Sequence, residues 1–137
     1  MATQKELDEL TYKINGAAIE VHKHLGPGLL ESVYQKCLAE ELRLRNISFQ
    51  QELILPIQYK GISVTADLRL DFFIEKNIVV ELKSVSEILP IHQAQLMTYM
   101  KLMKAPKGIL LNFNVVNLYH EGQKTFVNNY FSNLDRD

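Results

Sequence analysis

Two apolar stripes at helical spacing open the chain. The first ends at Gly26-Pro27-Gly28, where glycine permits a positive φ and proline stops a helix. The second runs to Asn46, a residue that tolerates the left-handed conformation of a helix cap. The pattern predicts two helices that meet at a short turn and bury Leu7, Leu10, Ile14, Ala17, Val21 and Leu25 from the first, and Leu30, Val33, Tyr34, Cys37, Leu38 and Leu42 from the second.

From residue 51 the hydrophobic period changes to two, which is typical of β-strands. Apolar residues alternate over 51–59 and occupy every even position over 62–74. The next stretch, IVVELKSV at 78–85, is nearly continuous in apolar residues, as in a central strand covered on both faces. We expect three antiparallel strands, the first at a sheet edge because Pro56 removes a hydrogen-bond donor there.

The remaining elements complete a mixed sheet. Residues 88–104 predict a helix and residues 107–113 another buried strand, which a helical crossover makes parallel to the strand at 78–85. Segments 117–121 and 125–131 fit either a strand or a terminal helix. The fold class is therefore α/β with a mixed sheet in a single domain, 1–137, with the order helix, helix, three antiparallel strands, crossover helix and at least one further strand.

The alternating pattern also sets the register of the second and third strands. A slip of one residue would place the apolar face of one strand beside the charged face of the other. Even-numbered residues of the two strands face each other only if the loop between the strands has an odd number of residues. The three-residue choice is 75–77, with Asn77 in the left-handed position. Asp71 then lies directly opposite Glu81 on the neighbouring strand.

Two acids that face each other destabilise a sheet unless a cation joins them. Arg69 and Lys83, the next cross-strand pair, offer one explanation, a structural ion-pair cluster. Burying several charges on a central strand is costly, however, so the arrangement favours a site. Two facing carboxylates suit Mg²⁺ or Mn²⁺, and a lysine beside them can orient water and offset charge on a phosphate.

Asp71 followed by Glu81-Leu82-Lys83 resembles the D…(D/E)-x-K signature of the PD-(D/E)XK nuclease superfamily, and the order of elements resembles its restriction-endonuclease-like core. The stretch GLLESVY, 28–34, resembles the GxxExxY motif of a small family named for it. ILPIHQAQLMTYMKL resembles the segment that follows the lysine in that family. The resemblance covers about residues 10–120 and departs from the signature at Leu70, where a proline usually stands.

This resemblance implies metal-dependent hydrolysis of phosphodiester bonds in DNA or RNA. Carried over by position, it implies Asp71 and Glu81 as ligands of Mg²⁺ or Mn²⁺, with the backbone carbonyl of Leu82 as a third ligand. Lys83 matches the catalytic lysine.

Three further residues complete the implied site. Glu31 matches an acid that many of these nucleases contribute from an N-terminal helix, and Gln95 with Tyr99 matches the Q-x-x-x-Y arrangement of RecB-like members. The i, i+4 spacing independently puts Gln95 and Tyr99 on one helix face, with His92 one turn earlier. Tyr34 falls on the apolar stripe, which favours core packing over catalysis.

Charge and composition limit the partners. The net charge of -1 gives no overall basic footprint, so a nucleic acid must be held by a local patch. Lys101, Lys104 and Lys107 form one candidate, although a lysine-rich helix end is ordinarily just solvated. The rival hypothesis is a nuclease fold that serves as a nucleic-acid or protein adaptor without turnover.

The sequence predicts a cytoplasmic protein and no membrane partner. No segment approaches the roughly 18 apolar residues of a membrane span, and the N-terminus lacks the apolar run of a secretory signal. Cys37, the only cysteine, cannot form an internal disulfide. A domain of this size is compatible with a homodimer.

Overall fold

Two long helices form the N-terminal part of the molecule, as the apolar stripes predict. The computed structural model describes residues 2–55, 57–64 and 68–137. Helix α1 spans Gln4–Leu25 and helix α2 spans Glu31–Leu44. Most of the predicted stripe residues are buried or half-buried, but Leu30 and Val33 are exposed. Leu30 lies just before α2, so its side chain is outside the helix–sheet contact.

The ends of these helices follow ordinary capping chemistry. Thr3 and Glu6 form a capping box at the start of α1, and α1 ends at Gly26, whose φ is 69°. After α2, Asn46 is left-handed with a φ of 59°, as predicted. The amide of Ile47 donates to the carbonyl of Leu42, which closes a Schellman motif and ends the helix.

The described residues form a five-stranded mixed sheet and a separate two-stranded ribbon. The sheet has the spatial order β1, β4, β5, β6, β7, and the ribbon pairs β2 with β3. Strands β1, β4 and β5 are antiparallel, β5 and β6 are parallel, and β7 is antiparallel to β6. The strand bounds are β1 Phe49–Ile54, β2 Ile57–Tyr59, β3 Ile62–Val64, β4 Arg69–Ile74, β5 Ile78–Lys83, β6 Lys107–Asn112 and β7 Gln123–Val127.

Helix α3 (Pro90–Met103) makes the expected crossover between parallel strands β5 and β6. The segment that the sequence left open after β6 contains three elements. A π-helical turn spans Leu118–Gly122, strand β7 follows it directly, and the short helix α4 spans Asn129–Ser132.

Helices cover both faces of the sheet. Helices α1 and α2 pack on the face that carries the even-numbered residues of β5, such as Val80, whereas α3 packs on the face that carries Val79. Strand β5 is buried along nearly its whole length, which confirms the prediction of a central strand. Glu81 is two residues beyond Val79, so alternation directs its side chain to the α3 face.

The two long strands expected at 51–59 and 62–74 are each interrupted. The first is divided into β1 and β2, and the second into β3 and β4. Continuing the Leu53–Leu70 register would pair position 57 with 66, whereas Ile57 pairs with Val64, two residues earlier. Strand β1 is at the sheet edge, as expected, although Pro56 and residues 65–67 lie outside the described residues.

The loop between β4 and β5 has the predicted length but a different conformation. Ile74 pairs with Ile78, which leaves the three-residue loop 75–77. Glu75 and Lys76, rather than Asn77, are left-handed, with φ values of 51° and 55°. Two consecutive left-handed residues form a turn whose twist matches that of antiparallel strands, and the Asn77 amide closes it on the Ile74 carbonyl at 3.0 Å.

Candidate active site

Strands β4 and β5 separate just beyond their hairpin. They pair from Phe72–Val80 back to the loop. Past that point β4 continues alongside β1 as far as Arg69, and β5 continues alongside β6 as far as Lys83. Asp71 and Glu81 are the first residues of the two strands beyond the last β4–β5 pair.

The two acids are linked by reciprocal hydrogen bonds to the backbone. The amide of Asp71 donates to Glu81 Oε2, and the amide of Leu82 donates to Asp71 Oδ2, each at 2.8 Å. Each carboxylate therefore accepts a hydrogen bond from a backbone amide of β4 or β5 next to the other acid. The acids converge, as the register from the sequence predicts.

Burial and mutual repulsion make the pair hard to ionise fully. Burial, followed by the charge of Asp71, raises the pKa of Glu81 from 4.5 to about 8. Burial also raises the pKa of Asp71 from 3.8 to about 6, with Glu31 adding repulsion. The backbone amides and Lys83 act in the opposite direction on both acids. Near neutral pH the pair therefore keeps about one proton in the absence of a cation.

Lys83 is half-buried at the end of β5. Its charge lowers the pKa of both acids, yet within the described ranges it forms no ion pair with either of them. Lys83 thus acts on the two acids electrostatically without an ion pair to either of them among the described residues.

Helix α3 brings Tyr99 and Gln95 to the same region. Tyr99 is 6% exposed, and the Gln95 side chain lies near its hydroxyl and acts to lower the pKa of that hydroxyl. Burial raises the pKa of the Tyr99 hydroxyl, and the charges of Glu81 and Asp71 raise it further. His92, one turn earlier, accepts a hydrogen bond from the Leu89 amide through Nδ1 and so caps the start of α3.

Glu31 is the first residue of α2 and is exposed. Its negative charge raises the pKa of both Asp71 and Glu81. The preceding loop is fixed at two points. The hydroxyl of Ser84, just after Lys83, donates to the Leu29 carbonyl at 2.6 Å, and Tyr34 holds the other side of the loop.

Tyr34 is a buried structural residue, as its place on the apolar stripe indicates. Its hydroxyl donates to the Gly26 carbonyl at 2.5 Å and accepts from the Leu29 amide at 3.2 Å. Its ring stacks on Phe113 with centroids 4.5 Å apart. The hydroxyl of Tyr34 is therefore one of the two contacts that fix the loop before Glu31.

We expect Tyr34→Phe to lower the free energy of unfolding by about 1–3 kcal/mol, because the part-buried Gly26 carbonyl and Leu29 amide lose their partner. Urea denaturation measures the change. Tyr12→Phe, at a side chain that is 82% exposed, is the matched control and should leave the midpoint unchanged. Equal midpoints for the Tyr34 and Tyr12 variants would show that the loop does not need the hydroxyl.

The donor set fits a small hard cation that keeps much of its water. Among the described residues, no three His, Cys, Asp or Glu side chains gather closely enough to ligate one ion. Asp71 and Glu81 would thus supply two carboxylate oxygens. The Leu82 carbonyl points to the same strand edge as its amide, toward Asp71, and would supply a third oxygen. Mg²⁺ is commonly bound by one or two carboxylates, with water and phosphate as its other ligands.

Two residues near the site were missed by the sequence analysis. Asn112 is buried opposite Lys83, and its side chain exchanges two hydrogen bonds with the backbone of Val85, which fixes the chain after the lysine. Glu52 on β1 is left-handed, with a φ of 55°, at the position facing Asp71. For Asn112, an asparagine inside a buried apolar run is a weak sequence signal. For Glu52, the local sequence gives no signal.

Comparison with known families gives one match. The family model for the PD-(D/E)XK nuclease superfamily matches residues 8–126. The chain belongs to the PD-(D/E)XK nuclease superfamily. Nucleases of this superfamily typically use divalent metals and act on nucleic acid, and the mixed sheet with its flanking helices is consistent with their restriction-endonuclease-like fold.

Neither the curated proteins nor the solved structures gave a match. Over the ranges that the structure describes, this superfamily member has no helix with the length and apolarity needed to cross a bilayer.

Proposed function

We propose that this chain is a metal-dependent nuclease that hydrolyses phosphodiester bonds of DNA or RNA. The observation that carries the proposal is the interlocked pair of Asp71 and Glu81, with Lys83 beside it, at the point where β4 and β5 separate. In a purely structural sheet, this position would be filled at lower cost by apolar residues.

The proposed cofactor is Mg²⁺ or Mn²⁺, held by Asp71, Glu81 and the Leu82 carbonyl. The ion, when bound, supplies Lewis-acid activation of the phosphate and of a water molecule. Lys83 Nζ carries a positive charge and three donors, so it would orient the attacking water and offset charge on the phosphate oxygens.

The outer residues would orient the substrate. Tyr99, with Gln95 near it, can donate its hydroxyl hydrogen to a phosphate oxygen or to water. Glu31, at the start of α2, can accept a hydrogen bond from water on the other side of the acid pair. The motif residues Gly28, Glu31 and Tyr34, and the Gln95–Tyr99 pair, support placement in the GxxExxY family and among RecB-like members.

The proposal extends to the binding partner of the chain, its oligomeric state and its cellular location. The partner is nucleic acid, the chain acts in the cytoplasm as a single domain over 1–137, and a homodimer is compatible with it. An adaptor without turnover is favoured less because Lys107, one of three lysines considered for phosphate contacts, is buried and paired with Asp8. An adaptor would also gain nothing from two buried acids with raised pKa values.

Cleavage assays test the proposed reaction. With Mn²⁺ or Mg²⁺, the purified chain should cleave a DNA or RNA substrate, and chelation should stop the reaction. Glu81→Ala should abolish cleavage because one ligand and half of the acid pair are lost. Residual cleavage of the same rate in wild type and Glu81→Ala would identify a contaminating nuclease and remove the evidence for turnover.

The raised pKa values predict how cation binding depends on pH. Glu81 must lose its proton to act as a ligand, and that proton leaves only as the pH approaches about 8. The affinity for Mn²⁺ should therefore rise from about pH 6 to about pH 8 and then level off, with about one proton released at pH 7. Calorimetry in buffers of different ionisation enthalpy measures this release. Affinity that is constant over this range would contradict the assignment of Glu81.

A further inference from the structure

Glu52 occupies an unusual place on the edge strand. The β1–β4 register pairs Gln51 with Phe72 and Leu53 with Leu70, yet the intervening pair, Glu52 with Asp71, is missing. Glu52 has a φ of 55°, a left-handed conformation that costs a residue other than glycine about 1 kcal/mol or more. The backbone of the residue that faces the candidate ligand Asp71 has thus left the ladder.

The side chain of Glu52 is held by the second helix. Gln35 Nε2 donates to Glu52 Oε1 at 2.7 Å, across 17 residues of sequence. Gln35 is four residues after Glu31, hence one turn further along the same face of α2. The hydrogen bond therefore ties the face of α2 that carries Glu31 to the strand that borders Asp71.

We propose that Glu52 is a positioning residue, which through Gln35 fixes the start of α2 and so holds the Glu31 carboxylate beside Asp71 and Glu81. This inference rests on the proposed function of the acid pair as a cation site. Other contacts hold the loop before Glu31, whereas the Gln35–Glu52 hydrogen bond is made by a residue of the helix itself. The repulsion that Glu31 and Glu52 exert on Asp71 agrees with this placement.

A positioning role and a direct charge effect predict different results. If the hydrogen bond matters, Glu52→Gln should bind Mn²⁺ like the wild type, because glutamine keeps an oxygen acceptor for Gln35. Glu52→Ala and Gln35→Met should each lower the Mn²⁺ affinity by about 5- to 10-fold, near the lower end of the range for groups that orient metal ligands. The double variant should be no weaker than either single variant, because both remove one link.

The control for mere loss of stability is Glu52→Gly. Glycine accepts the left-handed backbone without strain, so this variant should be at least as stable as Glu52→Ala while showing the same loss of Mn²⁺ affinity. In a Glu31→Gln background, Gln35→Met should have no further effect, because the group that the link positions has lost its charge.

Calorimetric titration of Mn²⁺ at pH 8 into the full chain measures all of these affinities. Wild-type affinity in both Glu52→Ala and Gln35→Met would overturn the proposal, as would a Glu52→Gln variant as weak as Glu52→Ala. A wild-type chain that binds no Mn²⁺, or binds it equally after Asp71→Asn, would instead remove the proposed function itself. The two failures are thus distinguished in one set of titrations.

Discussion

Replacing Lys83 with alanine is expected to lower the rate of Mn²⁺-dependent phosphodiester cleavage by about 10²- to 10⁴-fold, the range for loss of a group that takes part in proton transfer or charge stabilisation. The ammonium group of Lys83 lies near both acids but forms no ion pair with either within the described residues. Its removal should therefore affect the reaction more than the binding of Mn²⁺, which we expect to change by less than about tenfold.

The matched control is Lys13→Ala, which removes an exposed lysine from α1. This variant should keep its cleavage rate, because the lysine is outside the acid pair's surroundings. Cleavage and Mn²⁺ titration on the same three proteins separate the two effects. If Lys83→Ala loses Mn²⁺ binding and cleavage in equal proportion, Lys83 supports the cation site rather than the chemical step.

In metal-free buffer, Glu81→Gln is expected to stabilise the protein by about 1–3 kcal/mol near pH 7.5. Glu81 is 6% exposed, and its pKa is raised from 4.5 to about 8, so folding at this pH requires a carboxylate to take up a proton. Glutamine is neutral in both states and can still accept the hydrogen bond of the Asp71 amide. Thermal unfolding should show a Tm higher by roughly 3–10 °C.

A salt-bridged acid, whose pKa is lowered on folding, stabilises a protein more as the pH rises, whereas Glu81 destabilises it more. A folded-state pKa above the unfolded value means that the penalty grows as the pH rises from about 4.5 to about 8 and disappears below that window. The difference in Tm between Glu81→Gln and wild type should accordingly shrink as the pH is lowered to about 5. Glu87→Gln, at an exposed position, should show no such trend. A Glu81→Gln variant less stable than wild type at pH 7.5 would contradict the raised pKa.

The register of the site was predictable because it follows from parity. Because apolar residues occupy the even positions, even-numbered residues of β4 must pair with even-numbered residues of β5. This pairing requires a loop with an odd number of residues, and the three-residue loop sets Asp71 opposite Glu81. The helices and the parallel crossover followed from periodicity in the same way. The residues that match the superfamily signature then lie together because this register brings them together.

The same parity argument explains the error in strand length. The shift between the β1–β4 and β2–β3 ladders is two residues, and an even shift leaves the alternation of apolar positions unchanged. A hydrophobic pattern therefore cannot distinguish one long hairpin from a sheet hairpin with a separate ribbon at its end. The β4–β5 loop was misjudged for a different reason: composition favoured Asn77 as the left-handed residue, but the turn needs two such residues in a row.

Other features depend on contacts that are distant in sequence. The left-handed backbone of Glu52 is accompanied by a hydrogen bond to Gln35, and the role of Asn112 appears only when β6 is placed beside β5. Neither residue type indicates its conformation locally. The raised pKa of Glu81 likewise arises from burial under α3, which follows from tertiary packing and not from the strand pattern alone.

A calorimetric titration of Mn²⁺ at pH 8 into the wild-type chain and Asp71→Asn tests most directly whether the two acids form a cation site. The wild type should bind about one ion per chain, and Asp71→Asn should bind it much more weakly, because one of the two carboxylate ligands is lost. The absence of binding in the wild type, or equal binding by both proteins, would contradict the assignment of Asp71 and Glu81 as the centre of the site.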